Sequence, residues 1–171
     1  MIRAATTSVD ETRSLAAGLA PLVQPGDLVL LDGDLGSGKT AFTQGLARGL
    51  GVTEPVTSPA FTLARTYEAG RLPLVHLDVY RLDRLQELLD IGITEMLDDD
   101  GVTVVEWGDA VVPALPHDFL EVALALGAGD DDRLLTITAV GPSWPPRMRA
   151  VRAALAPWST EPRGEGTEPT C

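Results

Sequence analysis

In the first 50 residues, segments with helical spacing of hydrophobic residues are separated by a short continuous hydrophobic run. Ser8 and Glu11 form a capping-box pattern and leucines follow at intervals of three or four, so a helix is predicted over residues 9–23. The short apolar run at 27–32 is typical of a buried strand. Apolar residues four positions apart then predict a second helix over 38–50. The order in this part of the chain is therefore helix, strand, Gly-rich loop and helix.

Further along, the pattern is mostly extended. The predicted strand segments are 61–67, 72–78, 102–107, 120–126 and 134–140. The first two and the last two are each read as a hairpin, because only a short turn separates them. One or two short helices are predicted at 82–97. The fold class that follows is α/β, with three layers in which helices flank a mixed central sheet of parallel strands and antiparallel hairpins.

The segment Gly33–Thr40, GDLGSGKT, matches the phosphate-binding pattern G-x-x-x-x-G-K-[ST] and lies between a predicted strand and a predicted helix. Glycines in such a loop let successive backbone N–H groups face an anion, and the helix directs the positive end of its dipole to the same place. Lys39 would bridge the β- and γ-phosphates of ATP, and the Thr40 hydroxyl would ligate Mg²⁺. The pattern predicts a P-loop NTPase-like fold that binds ATP with Mg²⁺.

A P-loop also needs a carboxylate near the metal, normally at the end of a neighbouring strand. Two predicted strands end in one, Asp78 and Glu106. One would hold Mg²⁺ directly or through water, and the other would orient the attacking water or hold the groups that ligate the ion; the spacing leaves this assignment open. His76 lies two residues before Asp78 in the same predicted strand, so both side chains are expected on one face of the sheet. It either supports the Asp78 carboxylate or is an ordinary packed or exposed histidine. Trp107 either contacts the nucleotide or a partner, or packs in the core.

Composition narrows the class of protein. The formal net charge of −12 opposes unaided nucleic-acid binding, and the aspartate runs at 98–100 and 130–132 are read as solvated loops. The only cysteine, Cys171, cannot form an internal disulfide. No apolar run reaches the roughly 18 residues of a membrane span or resembles a secretory signal. These features predict a cytoplasmic protein.

The composition of the chain changes after about residue 141, where arginines first become frequent and Gly, Pro, Glu and Thr then dominate. The expected organisation is a P-loop ATPase domain over 1–141, a short basic helical extension over 142–157 and a disordered tail over 158–171, where Gly, Pro, Glu and Thr dominate.

The nucleotide and the reaction can be narrowed further. The chain contains no Asn, which disfavours the Asn-Lys-x-Asp guanine recognition of Ras-like GTPases and leaves ATP as the expected nucleotide. A small-molecule kinase would need lid arginines. Residues 108–132 contain no Lys or Arg, although Arg81 and Arg84 keep that alternative open. A nucleotide-gated scaffold, in which binding matters and hydrolysis does not, is a further alternative.

Several segments beyond the P-loop point to one family. They are, in order, Thr12, Gly33–Thr40, Ser58–Leu63 (SPAFTL), Tyr67, His76–Arg81 (HLDVYR) and Val105–Trp107 (VEW). Together they resemble the bacterial TsaE (YjeE) ATPases of tRNA threonylcarbamoyladenosine synthesis over about residues 6–140. Ala60 departs from the family's usual Thr, so a hydroxyl role in that loop falls to Ser58 or Thr62, or is absent. Gly108-Asp109 replaces the usual Pro-Glu.

The resemblance implies an ATPase, weak alone and stimulated by partners, that acts with TsaB and TsaD to modify the adenosine next to the anticodon of ANN-decoding tRNAs. In that family TsaD carries the transfer chemistry, hydrolysis resets the complex, and tRNA is contacted only through the complex. The resemblance implies that Lys39, Asp78 and Glu106 are catalytic and that Thr40, Glu106 and Asp78 hold the metal. The implied nucleotide contacts are Thr12, Gly33, Leu35, Gly36, Ser37, Gly38, Lys39, Thr40, Ala41 and Trp107.

Overall fold

The computed structural model describes residues 1–80, 92, 97, 100–107 and 112–161. The strands are β1 (Ile2–Thr6), β2 (Leu28–Asp32), β3 (Ala64–Tyr67), β4 (Leu74–Asp78), β5 (Val102–Glu106), β6 (Phe119–Leu126) and β7 (Arg133–Val140). The α-helices are α1 (Val9–Leu19), α2 (Lys39–Leu50) and α3 (Met148–Ala154). Short 3-10 helices cover Ala20–Leu22, Val112–Ala114, Pro145–Arg147 and Ala156–Trp158. Apart from Gly92 and Leu97, the helices predicted at 82–97 lie outside the described residues, as does the Gly108-Asp109 departure.

The strands form one seven-stranded mixed sheet in the order β1-β7-β6-β2-β5-β4-β3. Strand β2 lies at its centre, between β5 and β6, and is parallel to both. Strand β4 is parallel to β5, whereas β3, β7 and β1 add antiparallel edges. The predicted mixed sheet with two hairpins is therefore confirmed. Because β4, β5 and β2 are parallel neighbours, their carboxyl ends meet at one edge, which is where such sheets hold their ligands.

The first strand was not predicted. In β1 the side chains of Ile2, Ala4 and Thr6 are buried, and the strand pairs antiparallel with β7 over five residues. Two of its five residues are alanines, which are depleted in strands, so the alternation was too weak to stand out in the sequence.

The helices predicted on either side of the P-loop are confirmed. Ser8 caps α1, since its Oγ accepts from the Glu11 N–H at 3.1 Å, as the capping-box pattern indicated. Helices α1 and α2 pack closely because Gly45 has no side chain. A Cβ at that position would lie 2.1 Å from the Arg13 carbonyl oxygen. The close packing of the two helices fixes the position of α2, which begins where the phosphate loop leaves the carboxyl end of β2.

Residues after the last strand pack onto the same core. Trp144, Val151 and Leu155 are at most 1% exposed and join the cluster formed by α1, α2 and one face of the sheet. Arg147 donates to both carboxylate oxygens of Asp27, at 2.6 and 2.8 Å. Beyond the helix, Ser159 forms a bridge with Ala4 in the edge strand. The position of any domain boundary stays a prediction, but residues 142–161 contribute directly to the core. No helix in the described part of the chain is long and apolar enough to cross a membrane.

Candidate functional site

The loop between β2 and α2 has the backbone shape of an anion cradle. Gly33, Gly36 and Gly38 have φ angles of +140°, +79° and +103°, which side-chain-bearing residues rarely adopt. Space also requires glycine at position 33, because a Cβ there would lie 2.2 Å from the Leu124 carbonyl oxygen. Gly38 is the N-cap of α2 and no side chain among the described residues caps it, so the N–H groups of the first helical turn, which belong to cleft-lining residues, are available to an anion.

The Lys39 ammonium lies inside the loop. Its Nζ donates to the carbonyl oxygens of Gly33 at 2.5 Å and Asp34 at 2.9 Å, and it is 3.6 Å from the ring centroid of Trp107. Burial lowers the pKa of Lys39 below the usual lysine value, and the nearby carboxylates of Glu106 and Asp78 oppose that shift. The ammonium is thus held by neutral carbonyls and an aromatic face, both weaker partners than a phosphate oxygen.

Trp107 takes this position through an unusual backbone. Its φ is +63°, a left-handed conformation that is uncommon for a bulky residue and is concentrated at functional sites. The turn directly after β5 brings the indole over Lys39, and Tyr80, from the turn after β4, packs against it with ring centroids 4.8 Å apart. The structure therefore brings Trp107 to the cleft wall.

Thr40 and Glu106 are in direct contact. Thr40 Oγ1 donates to the Glu106 carboxylate and lies 2.8 Å from Oε1 and 3.0 Å from Oε2. His76 Nε2 lies 2.7 Å from the same Oε1, and both residues of this pair are buried. Of the two alternatives for His76, support of Asp78 is not what the structure shows, because the ring reaches across to Glu106 on the neighbouring parallel strand. The three side chains form a chain from the core of the sheet to the start of α2.

Asp78 is held by a separate set of contacts. Its Oδ2 accepts from Ser58 Oγ at 2.5 Å, and its Oδ1 accepts from the Tyr80 N–H at 3.1 Å. Ser58 therefore contributes the hydroxyl of the loop in which Ala60 stands. Thr62 instead contacts only backbone carbonyls at 3.5 Å. Asp78 is 5% exposed, so the carboxylate is fixed at the cleft floor.

These groups surround a cleft of about 460 Å³. The predicted residues that line it are Leu35, Gly36, Gly38, Lys39, Thr40, Ala41, Asp78, Glu106 and Trp107. The combination of a glycine-rich cradle, one buried ammonium, a hydroxyl and two carboxylates can hold a phosphorylated ligand together with a hard cation.

The family model described as "Threonylcarbamoyl adenosine biosynthesis protein TsaE" matches residues 6–134. The chain belongs to the TsaE family. Among curated relatives, the tRNA threonylcarbamoyladenosine biosynthesis protein TsaE of Bacillus subtilis is 45% identical over 136 residues, covering 80% of this chain and 84% of the relative. The protein of the same description from Streptomyces coelicolor is 44% identical over 138 residues, covering 77% and 93%.

A solved structure supports the same assignment. The crystal structure of YdiB from Bacillus subtilis superposes with a TM-score of 0.73 at 38% identity, covering 92% of this chain and 97% of that one. The fold is thus the P-loop NTPase-like fold expected for a TsaE protein.

Three residues implied by the family resemblance lie off the cleft lining. Thr12 is buried, and its Oγ1 is 2.7 Å from Thr6 Oγ1; the cleft wall next to α1 is formed by Val9. Ser37 is buried within the loop, and its hydroxyl has no hydrogen-bond partner among the described residues. Gly33 lines an adjoining depression with Asp34. Nucleotide contacts by these residues stay predictions.

Arg133 is a cleft residue that sequence reasoning missed. It lines the cleft, and its guanidinium contacts the phosphate loop from the first position of β7. The P-loop pattern says nothing about a residue so far along the chain. The only signal was a lone basic residue directly after an aspartate run, which by itself is typical of a solvated turn.

Proposed function

We propose that this TsaE protein binds ATP with Mg²⁺ in the cleft and hydrolyses it to ADP and phosphate. In this proposal it works in the cytoplasm with TsaB and TsaD in threonylcarbamoylation of the adenosine next to the anticodon of ANN-decoding tRNAs, and hydrolysis resets the complex between turnovers. Family membership and the names of the relatives support the pathway. The arrangement of the cleft supports the nucleotide chemistry.

The observation that carries the proposal is the contact between Thr40 and Glu106 beside the Lys39 ammonium. The Thr40 hydroxyl and the carboxylates of Glu106 and Asp78 are hard oxygen donors, which is the ligand type that Mg²⁺ prefers. The donor set therefore fits the ion. When bound, Mg²⁺ would neutralise charge that develops on the β- and γ-phosphates.

The residues of the chain divide the remaining work in the following way. Lys39 would exchange its two neutral carbonyl partners for phosphate oxygens, whose negative charge strengthens the interaction with the ammonium. Glu106 would serve the ion, because it already touches Thr40. Asp78, held rigidly by Ser58 and the Tyr80 N–H, would orient the attacking water.

The surface around the cleft is consistent with dependence on partners. Leu35 and Tyr80, which line the cleft, are 76% and 51% exposed, so a second protein can cover the nucleotide there. The formal net charge of −12 disfavours direct contact with a tRNA backbone. Contact with tRNA is therefore proposed to occur only through the complex.

The test is ATP hydrolysis by the purified protein, alone and with TsaB and TsaD, together with mass spectrometry of the modified nucleoside in tRNA. Slow hydrolysis alone and faster hydrolysis with both partners are expected. Arg149→Ala removes a charge from an exposed position on α3 and should behave as the wild type. Absence of any stimulation would contradict the proposed partners.

A second variant separates an ATPase from a nucleotide-gated scaffold. Glu106→Gln keeps the side-chain shape but removes the carboxylate charge. We expect nucleotide binding to persist while turnover falls about 100-fold or more, as for other groups that stabilise a transition state. If tRNA modification instead continued through many cycles without hydrolysis, the scaffold would be the better description.

A further inference from the structure

The guanidinium of Arg133 joins two loops on one side of the cleft. Its Nε donates to the Ser37 carbonyl at 2.9 Å, and its Nη2 donates to the Gly36 carbonyl at 3.1 Å. On the other side, Nη1 donates to the carbonyls of Asp130 at 2.8 Å and Asp132 at 2.7 Å. Among the described residues these four partners are all backbone carbonyls, although three aspartates precede it in the sequence. The guanidinium therefore holds the backbone of the two loops and forms no salt bridge with a carboxylate among the described residues.

These bonds determine how two peptides of the phosphate loop are turned. In a trans peptide the C=O and N–H point in opposite directions. Because Arg133 holds the Gly36 and Ser37 carbonyls, the N–H groups of Ser37 and Gly38 must face away from it. The Ser37 N–H then closes a turn to the Asp34 carbonyl at 3.1 Å, and Gly38 lines the cleft. The orientation of the cradle therefore depends on a residue outside the P-loop motif.

The second loop that the guanidinium contacts, the turn between β6 and β7, is held by hydrogen bonds of its own. The β6–β7 turn is closed by the Gly127 N–H to the Asp132 carbonyl at 2.9 Å, and the Gly129 N–H donates to the Asp132 carboxylate at 2.9 Å. Loops joining adjacent strands are usually more mobile than the sheet. Here the hairpin supplies a fixed point against which the glycine-rich loop is held.

We propose that Arg133 is a positioning residue for phosphate binding: it keeps peptides 36–37 and 37–38 turned so that the loop is pre-organised before nucleotide arrives. This inference rests on the proposed function of the cleft as a nucleotide site. Pre-organisation reduces the ordering cost of binding, so loss of Arg133 should weaken nucleotide affinity more than it changes the fold. Lysine cannot replace it, because a single ammonium lacks the planar fork that reaches adjacent carbonyls.

The experiment measures MgADP binding by calorimetry for the full-length wild type, Arg133→Ala, Arg133→Lys and the matched control Arg149→Ala. MgADP is used so that hydrolysis does not complicate the affinity. We expect Arg133→Ala to bind about tenfold more weakly or worse, as loss of charge-assisted hydrogen bonds predicts. Arg133→Lys should remain well below wild-type affinity despite its charge, and Arg149→Ala should bind normally. Guanidinium ion at millimolar, non-denaturing concentration should restore part of the affinity of Arg133→Ala only.

Hydrogen exchange without nucleotide provides a readout that general destabilisation does not mimic. Amides 34–41 should exchange faster in Arg133→Ala, while the amides of β2, β5 and β6 keep their wild-type protection. Should Arg133→Ala fail to fold, Arg133→Lys carries the same comparison. Wild-type affinity and wild-type exchange of the loop in a folded Arg133 variant would overturn the inference. If the wild type itself bound no nucleotide, the proposed function would fail, whereas the exchange data would still decide whether Arg133 holds the loop.

Discussion

Replacing Leu155 with alanine should destabilise the protein substantially, because the C-terminal segment completes the core. Leu155 follows α3 and is 0% exposed, packed in the same cluster as Val151 and Trp144. Truncating a fully buried leucine costs about 2–5 kcal/mol in transfer and cavity terms. In a protein of this size each kcal/mol lowers the melting temperature by about 2–4 °C, so a decrease of about 4–20 °C is expected.

Thermal unfolding followed by circular dichroism measures this directly, with Leu134→Ala as the matched control. Leu134 undergoes the same chemical change but is 51% exposed on β7, so its melting temperature should stay within about 2 °C of the wild type. Removing everything after Gly141 deletes three buried side chains, worth about 1.5–3 kcal/mol each. That sum, about 4.5–9 kcal/mol, overlaps the lower part of the stability range of a typical domain, about 5–15 kcal/mol, so the truncated chain should be strongly destabilised. Equal melting temperatures for the two leucine variants would refute the reasoning.

Three further predictions concern the site and its support. Ser58→Ala removes the 2.5 Å hydrogen bond to Asp78, and hydrolysis measured at saturating ATP should fall about tenfold while MgADP affinity changes little. Gly45→Ala should lower stability in denaturant titrations by about 1–3 kcal/mol, since its Cβ would lie 2.1 Å from a carbonyl oxygen of α1. The same change at Gly18, where the nearest such atom is 3.7 Å away, should be neutral or stabilising. Nucleotide binding should draw Lys39 away from the Trp107 ring, so intrinsic tryptophan fluorescence should change on adding MgADP, and Trp107→Phe should abolish that change.

The parts of the site that could be predicted are those that depend on local sequence. A Gly-rich segment between an apolar run and a helical pattern is a local signal, so the sequence predicts a phosphate loop from Gly33 to Thr40 between a strand and a helix, and it lies there between β2 and α2. Asp78 and Glu106 could be placed near it because each ends a parallel strand. Strands β4 and β5 are neighbours in the sheet, and their register places Asp78 directly opposite Glu106.

The parts that could not be predicted depend on which strands become neighbours. His76 contacts Glu106 instead of Asp78 because β4 pairs with β5. The residue pattern within one strand cannot show which strand will lie beside it. Arg133 reaches the phosphate loop only because β6 pairs with β2 and β7 with β6. The apolar spacing of Val151 and Leu155 predicted a helix but could not show that it covers the main core.

The most direct test of the central claim is calorimetric titration of MgATP into the purified wild type and Lys39→Ala. The wild type should bind MgATP. The Lys39→Ala variant should lose at least about tenfold in affinity, because one charge-assisted contact to phosphate is removed. Circular dichroism must show that both proteins are folded. A folded wild type that takes up no magnesium-nucleotide, or a Lys39→Ala variant that binds it as tightly as the wild type, would show that the cleft is not a nucleotide site built around Lys39.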